Sequence, residues 1–437
     1  MVQKLEAYFE FARLGTTWRT EALAGLTTFI TMAYIVVVNP AILHDTGMPI
    51  AAVTAATCFA AAFGSILMGI LANYPIALAP GMGLNAYFTY TVVKGMGVPW
   101  QVALGAVFIS GCVFLLLTLF GVRQMILSAI PTELYAAVAG GIGLFIAFIG
   151  LRNSGLIVAN QATLVSLGNL KSPGAIVAIS GLIITAVLLS RGVKAAILLG
   201  ILASAVIAAA LGQVHWQPTA FAASDLTATM LKLDLKSGMK LGFFEIVFVF
   251  LFVDLFDNLG TLLAVGKAAG LIKSEGGNPI PRLGRILTVD SIASIFSALV
   301  GTSTVTSYIE SAAGVGVGGK SGVTAIVAGL FFLLSLLALP LVGAIPSAAT
   351  APALITVGSL MMLSVTEIDW KSPVIAIPAF LTLIMIPLSF SIANGLAMGF
   401  IAYTFIRVLR GEWRLVHWLV YVLTALFIAR FLYLAGG

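Results

Sequence analysis

Three carboxyl groups stand where so apolar a sequence rarely tolerates them. The stretch Val253-Asp254-Leu255-Phe256-Asp257-Asn258-Leu259-Gly260-Thr261 lies inside a long hydrophobic run, and Glu310 closes a second one. Spacings of three and four put Asp254, Asp257 and Thr261 on one helical face, with Gly260 beside them open to close approach. An ionised carboxylate at mid-bilayer costs about 2.5–3.5 kcal/mol, so it needs a partner or a purpose. Lys267 is the one basic residue within about ten positions of Asp257. A buried carboxyl without an ion-pair partner favours its protonated form, which makes Asp257, Glu310 and Asp254 candidate proton carriers. The alternative for each is helix capping or a helix–helix hydrogen bond. Asp290 and Glu245 read as helix-end residues.

Other chemistries find little support. His44, His215 and His417 fall at predicted span ends or loops, so no Ser–His pair and no histidine metal cluster is expected. The expectation is a non-enzyme with no catalytic residues, no metal and no cofactor. Cys58 and Cys112 both lie in apolar segments and do not form a disulfide framework. Gly314-Val315-Gly316-Val317-Gly318-Gly319-Lys320-Ser321 fits the phosphate-loop pattern of nucleotide hydrolases. That chemistry needs a soluble α/β domain around it, whereas both flanks here are apolar spans. The glycines are therefore read as serving tight packing, with Lys320 at the cytoplasmic edge.

The elements that must position the carboxyls follow from composition. Of 437 residues 60% are hydrophobic and 9% charged, against roughly 25% charged in a soluble domain. Apolar stretches long enough to cross about 30 Å of hydrocarbon recur from Gly25 to Gly436, and no alternating ten-residue pattern suggests a barrel. Predicted spans cover 20–43, 50–72, 76–94, 99–120, 133–151, 173–190 and 193–212, then 241–268, 284–300, 302–319, 321–342, 346–364, 372–388 and 390–409. The stretch 415–435 is one more span or an interfacial helix. Residues 1–19 read as an amphipathic segment on the cytoplasmic surface. With the N-terminus inside, 15 of the 22 basic residues, from Lys4 and Arg13 through Arg123, Lys273 and Arg282 to Arg414, face the cytoplasm. The net charge of +6 thus reports orientation and gives no reason to expect nucleic acid as a partner.

The two sets of seven look like copies. Ala129-Ile130-Pro131 precedes one span with Gly143 twelve residues after the proline, and Ala344-Ile345-Pro346 precedes another with Gly358 at the same offset. Lys171-Ser172-Pro173 and Lys371-Ser372-Pro373 open the next span of each set. Seven is odd, so the second copy is inverted in the membrane, an arrangement that places a transporter's site between the repeats at mid-depth. Spans three and ten are the interrupted pair. One reads Tyr74-Pro75-Ile76-Ala77-Leu78-Ala79-Pro80-Gly81-Met82-Gly83-Leu84-Asn85, the other Gly301-Thr302-Ser303-Thr304-Val305-Thr306-Ser307-Tyr308-Ile309-Glu310. Prolines and glycines in one and β-branched residues in the other argue for a short extended stretch leading into a half-helix in each. Two loops outside the membrane are the alternative.

These residues resemble those of AzgA-like purine permeases, in the nucleobase:cation symporter-2 superfamily with uracil and xanthine permeases. The resemblance runs through Gly25-Leu26-Thr27-Thr28-Phe29-Ile30-Thr31-Met32-Ala33-Tyr34, Asn39-Pro40, Ala79 to Ala86, Phe256-Asp257 with Gly260-Thr261-Leu262, Thr306 to Ser311, and Ala351-Pro352-Ala353-Leu354. It implies an all-α, fourteen-span membrane protein built as a 7+7 inverted repeat. A core (20–120 and 241–343) would carry the cargo against a gate (121–212 and 344–437), the latter often a homodimer surface, with 213–240 linking the repeats. It also implies that Asp257 and Glu310 hydrogen-bond the base, that Asn85 binds it, and that the backbone near Gly83 approaches its ring. Uracil permeases carry a histidine where this chain has Thr261, which moves the expected proton route to the carboxyls. Leu164 to Leu170 and Gly212-Gln213-Val214-His215, both in loops, look most like bacterial adenine permeases. The expected function is proton-coupled uptake of a purine base, adenine favoured, in the inner (plasma) membrane. A hypoxanthine or guanine symporter, an anion transporter of the same architecture and a passive facilitator are the alternatives.

Overall fold

Where water is excluded, backbone N–H and C=O groups must be paired inside the structure, which leaves helices and short, fully paired strands. The computed structural model of the protein is accordingly mostly helical. It describes residues 2–122, 130–214, 227–236, 241–271 and 282–435. Arg123, Ala129, His215 and Lys273 lie outside these residues, as do 215–226 and 237–240 of the inter-repeat loop. Among the described residues nine helices are long and apolar enough to cross a membrane.

The chain divides into two packing units, Met1–Leu116 with Ile149–Thr356 and Leu117–Phe148 with Val357–Gly437. The first begins with two short helices, α1 (Val2–Tyr8) and α2 (Phe11–Leu14), where one amphipathic segment was expected. Next come α3 (Trp18–Met32) and α4 (Ile35–His44). They form one apolar span tightened at Ala33-Tyr34, where the Val36 and Val37 amides reach back three residues to the Ala33 and Tyr34 carbonyls. Helix α5 (Ile50–Leu67) ends in a π-helical turn, Met68–Ala72. Strand β1 (Leu78–Pro80) leads into α6 (Met82–Ala86), which continues as a π-helix over Tyr87–Gly95, and α7 (Trp100–Leu119) follows.

Helix α8 (Thr132–Asn153) runs through both units and ends at a hairpin of β2 (Ile157–Asn160) and β3 (Leu164–Leu167). This hairpin corrects the reading of that stretch as loop, within a chain that is otherwise mostly helical. Its strands carry Ile157, Val158 and Val165, and the Asn160 side chain accepts from the Ala162 and Thr163 amides to close the turn. Beyond it lie α9 (Pro173–Ser190) and α10 (Ala196–Ala210). Ser172 caps α9 through the Ala175 amide, with Pro173 at the first helical position.

The rest of the first unit begins with α11 (Leu241–Ala268) and α12 (Leu283–Val300). Asp290 sits fully buried in the middle of α12, not at its end as expected. It shares a polar helix face with Ser294 and Ser297, both buried. The charge therefore marks a polar interior rather than a boundary. Strand β4 (Val305–Ser307) and the short α13 (Ser311–Val315) occupy predicted span ten, followed by α14 (Gly322–Leu334) and α15 (Leu339–Val342).

Helix α16 (Ser347–Met361) again crosses both units. The second unit is completed by α17 (Pro373–Leu388), α18 (Ile392–Leu409) and α19 (Trp418–Ala435), the last forming most of the predicted 415–435 stretch. Here Gly143 of α8 faces Gly358 of α16. A Cβ on Gly143 would stand 2.7 Å from the Gly358 carbonyl oxygen, and one on Gly358 would meet the Gly143 carbonyl in turn. The two residues at the same offset from their prolines thus cross backbone against backbone.

Candidate functional site

The two interrupted segments meet as strands. β1 and β4 pair antiparallel with Leu78 opposite Ser307, Ala79 opposite Thr306 and Pro80 opposite Val305. The prolines and glycines of one and the β-branched residues of the other keep both stretches out of the helix. Their remaining peptide groups are satisfied by hydroxyls and flanking backbone. Ser65 Oγ accepts from the Leu78 amide at 2.9 Å and donates to its carbonyl at 3.0 Å. Ser311 Oγ accepts from the Ala77 amide, and Ser294 Oγ donates to the Val305 carbonyl, both at 3.1 Å. The Gly81 amide reaches the Thr304 carbonyl at 3.0 Å, and the Tyr308 phenol donates to the Pro80 carbonyl at 2.5 Å.

Of the predicted site residues, Asp257 and Glu310 come together at this pairing, and Asn85 touches Ser303 just before β4. Asp257 comes in from α11: a Cβ on Gly81, which precedes α6, would stand 3.5 Å from Asp257 Oδ2 and 2.7 Å from Thr306 Cγ2. Asp257 is half-buried, while Asp254 and Thr261 on the same helix are buried. Gly260 belongs to that helix as well. Glu310 follows the other strand, half-buried, and its Oε1 accepts from the Tyr34 phenol at 2.6 Å. Thr31 Oγ1 reaches the Glu310 main-chain carbonyl at 3.4 Å. Asp257, Glu310, Tyr34 and Tyr308 lie within reach of one another's charge, and Asp290 stands close enough to act on Asp257.

Gly83 and Asn85 are buried in α6. Asn85 Oδ1 accepts from the Ser303 hydroxyl, and among the described residues its Nδ2 has no hydrogen-bond partner. The Thr304 and Thr306 hydroxyls and both amide atoms of Asn258 are likewise buried without partners among the described residues. Buried polar groups are nearly always paired in finished structures, so such a cluster suits a polar guest. Among the described residues no group of three or more His, Cys, Asp or Glu is placed to hold a metal ion.

Sequence reasoning assigned no role to Tyr34, Ser303 or Tyr308, although all three fall in or beside the quoted motifs. An isolated phenol in an apolar span is a weak signal, and the partner of Tyr34 is 276 positions away. The phosphate-loop look-alike has an internal occupant. Glu21 is fully buried in α3. Its Oε1 accepts from the Lys320 and Ser321 amides at 3.0 and 3.2 Å, and its Oε2 from the Thr324 hydroxyl at 2.6 Å. A carboxylate of the chain itself thus sits at the N-terminus of α14, where an anion would bind. Gly314 packs against Ala24 and Thr28 of the same helix.

A model described as Permease family matches residues 19–398. Adenine permease AdeP of Escherichia coli is 46% identical over 430 residues, covering 98% of this chain and 96% of that one. Guanine/hypoxanthine permease PbuG of Bacillus subtilis is also 46% identical, over 447 residues, covering 98% and 100%. The chain belongs to the nucleobase permease family. As a family member this permease is a multi-pass membrane protein and a transporter, not an enzyme. The transmembrane domain of a cyanobacterium bicarbonate transporter, BicA, superposes on the permease with a TM-score of 0.65 at 15% identity, covering 87% of this chain and 96% of that one. That likeness is one of fold.

Proposed function

We propose that this permease takes up a purine base, adenine foremost, together with a proton. The observation that carries the reading is the convergence of two acids from separate segments on the paired strands, Asp257 of α11 beside Gly81 and Glu310 after β4. A planar neutral purine lies edge-on between them, its N–H groups donating to the carboxylates. The free Nδ2 of Asn85 donates to a ring nitrogen or an oxo group. Asp254, a helical turn from Asp257, is a further stop for the proton. Backbone near Gly83 and Gly260, with the Thr261 hydroxyl, completes the contact. A neutral cargo gains nothing from membrane potential by itself. A proton taken up by a carboxyl supplies the charge and spares the cost of carrying a bare anion through a dry site.

In this reading the chain makes fourteen spans as a 7+7 inverted repeat, with the N-terminus cytoplasmic, in the inner membrane. The antiparallel meeting of β1 with β4 and the mutual approach of Gly143 and Gly358 support it, since matching positions of the two halves face each other. The core of 20–120 and 241–343 moves against the gate of 121–212 and 344–437. This division follows which segments carry the site and cuts across the two packing units.

Hypoxanthine or guanine is the second reading, favoured by the equal identity to PbuG and by the Asn85 donor, which suits an oxo group. The test is radiolabelled adenine accumulation by Asp257→Asn and Glu310→Gln. Each is expected to lose gradient-driven accumulation, and full accumulation by both variants overturns the scheme.

A further inference from the structure

We propose that Tyr34 is the positioning residue for Glu310. It locks one carboxylate oxygen so that the other meets the cargo in a fixed direction. The inference rests on the proposed role of Glu310 as a ligand of the base.

The geometry is specific. Tyr34 stands at the tightened turn between α3 and α4, and its side chain is 1% exposed, so its rotamer is set by packing. Its hydroxyl donates to Glu310 Oε1 at 2.6 Å. Thr31 Oγ1, three residues earlier, stands 3.4 Å from the main-chain carbonyl of the same Glu310, but its one proton has a nearer acceptor in the Thr28 carbonyl at 2.8 Å. The grip of this span on Glu310 is therefore the Tyr34 hydroxyl on its side chain. A phenol has a single proton to give, so it engages Oε1 and leaves Oε2 for a purine N–H. A bond from a neutral donor to a carboxylate is charge-assisted and directional, and it fixes the plane of the carboxyl group. A carboxylate rotating freely about its terminal torsion would meet the base in many orientations, only some of them productive. Asp257 of α11 and Tyr308 at the end of β4 also face Glu310, but the Tyr308 hydroxyl is committed to the Pro80 carbonyl. Tyr34 thus supplies the fixed donor.

The test compares the KM and the maximal rate of adenine uptake for Tyr34→Phe, Thr31→Val and Glu310→Gln in proteoliposomes. Tyr34→Phe keeps the ring and the packing. It is expected to raise KM about ten- to a hundredfold, the loss of one hydrogen bond to a charged group, with the maximal rate per folded transporter held within twofold. A purely structural role would lower the maximal rate and leave KM alone, and that outcome overturns the proposal. Thr31→Val is expected to leave KM within twofold. If Glu310→Gln transports as the parent does, the reading of Glu310 itself has failed. If Glu310→Gln is inactive while Tyr34→Phe keeps the parental KM, the positioning role alone is wrong. Should Tyr34→Phe not fold, replacement of Tyr34 by 4-aminophenylalanine, which keeps the ring and puts an N–H donor in the hydroxyl's place, decides: a KM near the parental value supports the role, and a raised one contradicts it.

Discussion

The Asp257 carboxylate lies against the backbone of Gly81, 3.5 Å from where a side chain on that glycine would begin. The Thr306 methyl carbon is nearer still to the same point, at 2.7 Å. Nothing larger than hydrogen fits between the start of one broken segment and the strand of the other. Gly81 is thus read as the residue that lets the carboxyl approach the half-helix.

Gly81→Ala follows directly. The added methyl must push Thr306 or the β1–β4 pairing aside, a strain of about 1–3 kcal/mol in a packed interior. A shift of that kind at a binding site is expected to lower adenine uptake at least about tenfold. The amount of protein in the membrane, read by immunoblot, is expected to hold near the parental level. Parental uptake by this variant would show that Gly81 and Asp257 need not meet.

A second prediction concerns Glu21. Its carboxylate accepts from two backbone amides and from the Thr16 and Thr324 hydroxyls. Glu21→Gln replaces one acceptor oxygen with a donor facing those donors and removes the negative charge from the helix N-terminus. The expected loss is about 2 kcal/mol, read as a lower melting temperature in detergent. An unchanged midpoint would mean the buried carboxylate does not hold α3 to α14.

The N-terminal segment offers a pH-dependent prediction. Partial burial pushes the Glu10 carboxyl up, but its hydrogen bond to Arg13 and the charges of Arg282 and Arg13 outweigh this and hold it below its ordinary 4.5. Arg282 also donates to the Ala72 and Asn73 carbonyls at 3.2 and 3.3 Å, tying α2 to the end of α5. A depressed folded value means that this stabilisation is complete above 4.5 and is lost as pH falls through the lower folded value. Hydrogen-exchange protection of residues 2–14, taken relative to intrinsic rates, is expected to fall as pH drops below 4.5, and Glu10→Gln is expected to lower it at neutral pH. Equal protection in the variant would contradict the tie.

What the sequence made legible depended on how local the signal was. The breaks at Pro75-Pro80-Gly81 and Thr302-Thr304-Val305-Thr306 could be read because proline, glycine and β-branched residues act on their own backbone. That Gly143 and Gly358 correspond could be read from their equal offset from a proline, whereas their backbone contact could not. Tyr34 could not be assigned, since its role lies wholly in a partner far along the chain. Glu21 reads like any first-turn acid until the Lys320 and Ser321 amides fold onto it. Asp290 was misread because a lone charge signals a helix end in water, whereas in a bundle it can join a buried serine face. The β2–β3 hairpin escaped because two four-residue strands leave little pattern to read in a connecting segment.

The most direct measurement is radiolabelled adenine uptake into proteoliposomes under an imposed inward proton gradient, with unlabelled hypoxanthine, guanine and uracil as competitors. The account predicts accumulation above equilibrium that collapses with a protonophore and is competed most strongly by adenine. Uptake that only equilibrates and ignores the protonophore, or no uptake of any base, would contradict it.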